Sequence, residues 1–257
     1  MSSLGGRTLC VFSAKGGVGR TTVAAWMALA FARHGQRVCL WEADFEWGGQ
    51  LAEQFGTPAE PNLSDLVAAR ASLVPTLVER ALWLVAPGVA LLPAPRRRHT
   101  PGALDDRFLR RLHACLQAAF DLILVDLDPR LDLRNLTLMA QADGLIWVDE
   151  GVPEAQSRRR RALRQLDALG VGPGRRWVVL NRASPAAAWG GADARIPECE
   201  ALRDPRTWPA PPPSVWGPID ALCARIVREA QQKPKPESAR ERAMQVWVDD
   251  VLARVEA

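Results

Sequence analysis

The chain contains almost no lysine, no tyrosine and no long run of apolar residues. Only three of its thirty-three basic residues are lysines, and none of these lies between positions 16 and 232. No apolar run reaches the roughly 18 residues that a membrane span requires, and no apolar leader stands near the start. We therefore expect neither a membrane span nor secretion, and we expect a cytoplasmic protein.

Cysteine is also scarce, and its spacing excludes several classes of site. The five cysteines are odd in number, and no two of them form a Cys-x-x-Cys pair. A disulfide framework, a zinc site and an iron–sulfur site all need closer or paired spacing. This pattern favours a reducing compartment. The cysteines are Cys10, Cys39, Cys115, Cys199 and Cys223.

The length and charge favour one domain followed by a short tail. The 257 residues are enough for one well-buried core, and the net charge of +4 is compatible with an anionic partner without requiring one. Residues 1–232 are predicted to form the domain. Residues 233–257 read as a linker and a C-terminal amphipathic helix, which is too close to neutral to favour a membrane surface and is expected to pack on the domain or on a partner.

A glycine-rich stretch after the first apolar run is the strongest local signal. It follows the predicted strand Leu9 to Phe12 and precedes a helical pattern from Val23 to Arg33. Three glycines in four positions allow a tight turn of inward-pointing N–H groups, which suits a polyphosphate at a helix N-terminus. The alternative is a glycine-rich turn that binds no nucleotide. The predicted nucleotide-binding residues are Lys15, Gly16, Gly17, Val18, Gly19, Arg20, Thr21 and Thr22.

The loop departs from the general P-loop pattern in a recognisable way. Ala14 replaces the first glycine, Arg20 replaces the lysine, and Lys15 stands before the glycine pair. The combination resembles the deviant Walker A motif of the ParA/MinD family. The resemblance implies an α/β fold, a three-layer α/β/α P-loop NTPase with a mostly parallel central sheet. It also implies ATP and Mg²⁺ as cofactors, and an ATP-bound homodimer in which a catalytic Lys15 reaches the other subunit's phosphates.

Acidic residues end two further predicted strands. Glu42 and Asp44 follow the run from Arg37 to Trp41, and Asp126 closes the run from Asp121. The resemblance assigns Asp44 to orienting the attacking water and lying near magnesium, and it assigns Thr21 and Asp126 to the metal. Glu42 stands where the family has aspartate, so it is either part of the site or a salt-bridged strand end.

Other residues extend the resemblance along the chain. Asn181 and Arg182 follow a predicted strand and resemble the family's Asn-Arg motif, whose amide reads the adenine edge. Ile196-Pro197 resembles a later strand end. Asp128 departs from the family pattern and is either a second neighbour of magnesium or a turn residue.

Arginine clusters leave the question of DNA open. Four consecutive arginines, Arg158 to Arg161, cover more than half of a helix, so at least one must face the sheet or a partner. In ParA-like proteins basic clusters bind DNA non-specifically through phosphate contacts, so the resemblance leaves DNA as a candidate partner of this cluster. A second run, Arg96 to Arg98, follows a predicted strand and could touch phosphate, DNA or a partner, but solvated surface is favoured.

Two proline-containing stretches carry local predictions. Pro75 to Trp83 is predicted to be helical, with proline in the first turn. Pro205 to Pro218 contains six prolines and is predicted to be an extended loop.

Three segments resemble the CpaE/TadZ branch, whose members place Tad/Flp-type pilus machinery. They are Asp44 to Leu51, Asn62 to Leu66, and Leu91 to Pro95. The expected partner is then a protein scaffold or pilus component. A ParA-type DNA-partition ATPase and a non-hydrolysing structural paralogue remain alternatives. Because a guanidinium cannot replace the lysine point charge between the phosphates, Arg20 predicts slow or absent ATP hydrolysis.

Overall fold

The computed structural model describes residues 4–46, 48–58, 60–95, 103–170, 174–184, 191–200 and 211–232. The predictions for the tail at 233–257 and for Arg96 to Arg98 lie outside these ranges. Within them, no helix is both long enough and apolar enough to cross a bilayer.

The described residues form one mixed sheet, in the order β3-β4-β2-β5-β1-β6-β7-β8. Every neighbouring pair is parallel except β3 with β4, which is antiparallel. The mostly parallel sheet that the sequence predicted is confirmed. The strands are β1 Arg7–Phe12, β2 Val38–Ala43, β3 Trp83–Ala86, β4 Val89–Leu92, β5 Leu122–Leu127, β6 Gly144–Glu150, β7 Arg176–Ala183 and β8 Ala194–Pro197.

Helices cover both faces of this sheet and complete three layers. One face buries side chains of α1, α2 and α8, and the opposite face buries side chains of α3 to α7. The helices are α1 Arg20–Arg33, α2 Gln50–Phe55, α3 Leu63–Ala68, α4 Pro75–Arg80, α5 Asp106–Ala119, α6 Leu133–Ala140, α7 Pro153–Ala168 and α8 Pro213–Gln232, with a 3₁₀ turn at Arg70–Ser72.

The central strands are apolar throughout because both of their faces are buried. On β1, Val11 packs into the core under α1, while Phe12 points to the other face. There the Phe12 ring meets the Trp147 ring edge-on, with centroids 5.3 Å apart. Parallel sheets covered on both sides are expected to show such continuous apolar runs.

Short local signals set several helix ends. Asn62 and Asp65 form a reciprocal capping box at the start of α3. The Asp105 carboxylate accepts the Phe108 N–H at 2.8 Å and begins α5. Gly35 adopts a φ of 78° just after α1, the left-handed conformation that ends a helix.

Two local predictions are wrong. Trp83 does not continue a helix: α4 ends at Arg80, and Trp83 begins β3, where its indole N–H donates to the Pro61 carbonyl at 2.9 Å. The stretch predicted as extended up to Pro218 is helical from Pro213 onward. Pro213 stands at the helix start, where its missing N–H costs nothing. Pro218 lies inside α8, whose apolar side is buried beside α1, and this packing outweighs the lost hydrogen bond.

Candidate functional site

The site forms where three strand ends meet. β1 lies between β5 and β6, so the loop after Phe12 begins beside Asp126 at the end of β5 and Glu150 at the end of β6. Ligands of open α/β sheets bind in such a crevice, outside the carboxyl ends of the strands. The predicted loop and the predicted Asp126 carboxylate therefore share one crevice.

The loop exposes backbone donors. Gly17 and Gly19 adopt φ angles of 78° and 84°, and Cβ atoms added at Gly16 or Gly17 would meet open space. Within the described ranges, the N–H groups from Gly16 to Gly19 donate no hydrogen bond to protein. Unpaired amides beside the N-terminus of α1 provide a concave surface that favours an anion.

Two side chains at the end of β7 hold this loop in place by donating hydrogen bonds to the carbonyl groups of the loop. The Asn181 side-chain nitrogen donates to the Val18 carbonyl at 2.8 Å, and the Arg182 guanidinium donates to the Gly17 carbonyl at 3.0 Å. Arg182 has a φ of 51°, which is unusual for a residue with a side chain. One amide hydrogen of Asn181 is thus committed to the loop. Its adenine-reading role stays a prediction, carried by the remaining hydrogen and the oxygen.

Lys15 is held within its own subunit by a residue that sequence reasoning missed. The Lys15 ammonium lies 2.8 Å from Glu150, whose second oxygen is 3.6 Å from Arg182. About half of the Lys15 side chain is exposed, so solvent screens this pair. The sequence did offer one indication of Glu150: it is the acidic residue that ends β6, the strand that pairs with β1.

Arg20 pairs with the buried carboxylate of Asp126. The Arg20 Nε lies 2.9 Å from Asp126, whose side chain is 2% exposed. Burial raises the pKa of Asp126, while the charge of Arg20 and a hydrogen bond from the Thr21 hydroxyl oppose that shift. Three residues of the predicted site, Arg20, Thr21 and Asp126, therefore form one contact cluster.

The two acids at the end of β2 have different surroundings. Asp44 accepts the Glu46 N–H at 3.1 Å, and its charge acts on Asp126. The Glu42 carboxylate is buried and accepts three backbone N–H groups, from Gly49, Leu51 and Ala94, at 2.9 to 3.1 Å. Burial raises the pKa of Glu42. Glu42 is therefore neither a salt-bridged strand end nor directed at the loop, and it ties the segment after β2 to the segment after β4.

Asp128 takes the turn role among its two alternatives. Its carboxylate accepts the Asn135 side-chain amide at 2.8 Å and the Arg130 N–H at 2.9 Å, and it pairs with the Arg130 guanidinium. These contacts account for both of its oxygens. They join the end of β5 to the start of α6.

A pocket of about 330 Å³ opens beside the loop, between α1 and the ends of β7 and β8. It adjoins the loop through Gly19 and is the size and place expected of a site for the base of a nucleotide. Trp26, Glu198 and Cys199 were not singled out by the sequence analysis, because only the fold brings them together. The lining residues are Gly19, Thr22, Trp26, Asn181, Arg182, Pro197, Glu198 and Cys199.

The donor set fits magnesium only as part of a nucleotide complex. The described residues contain no group of three or more histidine, cysteine or acidic side chains that could hold a metal alone. Mg²⁺ prefers one or two carboxylates together with phosphate oxygens, and a P-loop adds a threonine hydroxyl. Thr21 and Asp126 meet this requirement, and Asp126 is shared with Arg20.

The arginine run on α7 is divided between core and surface. Arg159 is buried, with its guanidinium 3.7 Å from Asp149 of β6, while Arg160 and Arg161 are exposed. The prediction that at least one of these arginines faces the sheet is confirmed. Burial raises the pKa of Asp149 to about 6, against the opposing charges of Arg159 and Arg158.

Comparison with known sequences assigns a family. The profile of AAA_31, an AAA domain, matches residues 6–151, which is more than half of the chain and includes the loop and Asp126. The chain belongs to this family. Together with its curated relatives, this match identifies it as a ParA/MinD-family P-loop ATPase.

This ParA/MinD-family protein has relatives of varied function. It is 30% identical over 172 residues to EpsB of Ralstonia solanacearum, whose name describes a tyrosine-protein kinase, covering 66% of this chain and 22% of EpsB. It is 28% identical over 180 residues to the septum site-determining protein MinD of Synechocystis, covering 70% and 65% of the two chains. The chain therefore spans about a fifth of EpsB and less than two thirds of this MinD.

Solved structures share the fold. A ParA family ATPase from Chlorobium tepidum superposes with a TM-score of 0.74 at 20% identity, covering 85% of this chain and 98% of that one. MinD from Pyrococcus horikoshii, described as complexed with Mg-ADP, gives a TM-score of 0.71 at 23% identity, covering 89% and 99%. At these identities the likeness is one of fold, and it confirms the predicted three-layer class.

The contact between Gly19 and Asn181 yields a stability prediction. A Cβ at Gly19 would lie 2.2 Å from the Asn181 side-chain nitrogen, whereas at Gly17 it would meet nothing. Both substitutions to alanine strain a left-handed backbone, and Gly19→Ala must also displace Asn181 from Val18. We expect Gly19→Ala to lower the free energy of unfolding by about 1 kcal/mol more than Gly17→Ala, measured by urea denaturation. Equal losses would contradict the clamp from β7.

Asp149 yields a pH prediction. Its pKa is raised from 3.8 to about 6, so between those values the folded protein keeps a proton that the unfolded chain has released. Stability that is present below about pH 4 is therefore lost as the pH rises to about 6. Denaturation across this range should show that Asp149→Asn removes this fall. The exposed Glu79→Gln control should retain it, and an unchanged slope in Asp149→Asn would contradict the assignment.

Proposed function

We propose that this chain is an ATP-binding switch that dimerises when loaded and positions a cellular assembly. The observation that supports this most directly is the loop of unpaired amides, from Gly16 to Gly19, whose carbonyl side is fixed by Asn181 and Arg182. A fixed ring of donors binds phosphate without first being ordered. The adjoining pocket supplies room for the base.

Each predicted site residue has a place in this proposal. The amides from Gly16 to Thr22 bind the phosphates, and Asn181 with Arg182 borders the base pocket. When bound, Mg²⁺ would neutralise phosphate charge and orient the oxygens, held by Thr21 and Asp126. Asp44, whose charge already acts on Asp126, is proposed to orient the attacking water.

Lys15 is proposed to connect the two subunits. It extends from the exposed side of the loop and rests on Glu150 of its own subunit through a solvent-screened contact. Such a contact is weak enough to exchange for a phosphate of a second copy. In the role that the deviant Walker A motif implies, Lys15 of one subunit would leave Glu150 and bind a phosphate of the nucleotide held by the other subunit.

Hydrolysis is proposed to be slow. The Arg20 guanidinium is bonded to Asp126 through its Nε, so its charge cannot take the position between the phosphates that a lysine ammonium takes. The lysine of a standard P-loop instead cradles the phosphates as a compact charge. Losing one such transition-state contact costs about 10²-fold in rate.

The proposed cargo is Tad/Flp-type pilus machinery or its scaffold, from the resemblance to the CpaE/TadZ branch. The structure supports a common role for two of the segments that carry it. A Cβ at Gly48 would lie 2.1 Å from the Ala94 Cβ, and Glu42 binds backbone amides on both sides of this contact. This contact requires glycine at position 48 and joins the two segments through one packing contact.

Nucleotide-dependent association tests the main proposal. We expect ATP to convert the monomer to a dimer in sedimentation velocity. Lys15→Ala should weaken that dimer by about tenfold or more while nucleotide still binds in calorimetry. Glu150→Gln should strengthen it, because Lys15 loses its competing partner. A wild-type chain that binds ATP and stays monomeric, or a Lys15→Ala variant that dimerises normally, would contradict this role.

DNA binding is a second candidate, favoured by the exposed Arg160 and Arg161 on α7. If it holds, random-sequence DNA should shift in a gel with ATP, the shift should weaken with salt, and Arg160→Glu with Arg161→Glu should abolish it. Arg110→Glu on α5 is the control. An unchanged shift in the double variant would remove α7 as the DNA surface.

Two further candidate functions are a structural role without hydrolysis and a kinase activity. A non-hydrolysing structural paralogue would bind no ATP–magnesium, and calorimetry would then show no heat. The similarity to EpsB suggests phosphate transfer to a tyrosine side chain as another candidate activity. This chain contains no tyrosine, so such a reaction could not modify the chain itself.

A further inference from the structure

Among the described residues, the Arg20 side chain makes one hydrogen bond, and its two terminal nitrogens are left over as donors. Its Nε donates to Asp126 at 2.9 Å, and its side chain is 11% exposed. In the part of the chain that the structure describes, the terminal nitrogens of Arg20 have no hydrogen-bond acceptor on protein. A guanidinium carries five N–H donors in one plane, so it can hold a carboxylate by one edge and an anion by another.

A buried carboxylate requires a counter-charge, and the source of that charge differs from an ordinary P-loop. There the lysine contacts the phosphates, and the charge of the acidic strand end is balanced by hydrated Mg²⁺. Here Arg20 is already paired with the buried carboxylate of Asp126. The carboxylate that would favour the metal is thus neutralised by the protein itself.

We propose that Arg20 does part of the work of the divalent cation: it links Asp126 to a phosphate oxygen, so that this chain binds nucleotide with only weak dependence on Mg²⁺. The inference rests on the proposed nucleotide binding and deepens it. It concerns Arg20, which stands where the general P-loop pattern has lysine.

Two physical effects carry the proposal. A divalent ion at Asp126 would lie close to the guanidinium, and the repulsion between these charges cancels much of what the metal gains from the carboxylate. Lysine at position 20 would present its three donors from one compact point at the end of a flexible stem, without the fixed, separated edges by which a guanidinium holds two anions. The planar fork of arginine therefore matters here, beyond its positive charge.

The affinity for ADP, measured by titration calorimetry with magnesium and with excess EDTA, tests this directly. We expect magnesium to tighten binding to the wild-type chain by less than about fivefold, whereas it tightens binding to Arg20→Lys by more than about tenfold. Arg110→Lys, an exposed arginine on α5, should behave as the wild type. A wild-type gain of about fivefold or more, or an equal gain in Arg20→Lys, would overturn the proposal.

The outcomes separate this inference from the proposed function. If ADP and ATP bind neither with magnesium nor with EDTA, the nucleotide switch itself fails. If they bind well and only with magnesium, the switch stands and the role of Arg20 is refuted. Thermal unfolding without ligand shows whether Arg20→Lys is folded, and the wild-type comparison decides the inference even if it is not.

Discussion

The parallel pairing of β1 with β5 on one side and β6 on the other is the constraint on which the site depends. It places the loop after Phe12, the Asp126 carboxylate and the Glu150 carboxylate at one edge of the sheet. Both cations of the loop then pair with an acid of their own subunit: Lys15 pairs with Glu150 of β6, and Arg20 pairs with Asp126 of β5. Neither pairing follows from neighbours in sequence.

The two ion pairs differ in what they can do because they differ in exposure. Lys15 is half exposed, so its contact with Glu150 is screened by water and exchanges readily. Arg20 and Asp126 are almost enclosed, and breaking that pair would leave a buried charge without a partner. A mobile contact suits a link between subunits, whereas an anchored one suits a permanent part of the phosphate site.

Sequence reasoning recovered what local patterns encode. The loop, the apolar strand before it and the helix after it follow from residues close together in the chain. It missed the partners that the fold supplies, such as Glu150 for Lys15 and the amides around Glu42. It also misplaced Trp83, because the edge strand β3 is short and partly exposed, so its apolar pattern resembles the end of a helix.

The central claim is that the backbone amides from Gly16 to Thr22 grip a polyphosphate. Amide chemical shifts of the ¹⁵N-labelled chain, recorded while ADP is added, test it most directly. The account predicts that the largest shifts fall on these amides and on Asn181, which holds the loop. Shifts confined to other parts of the molecule, or an unchanged spectrum at saturating ADP, would contradict it.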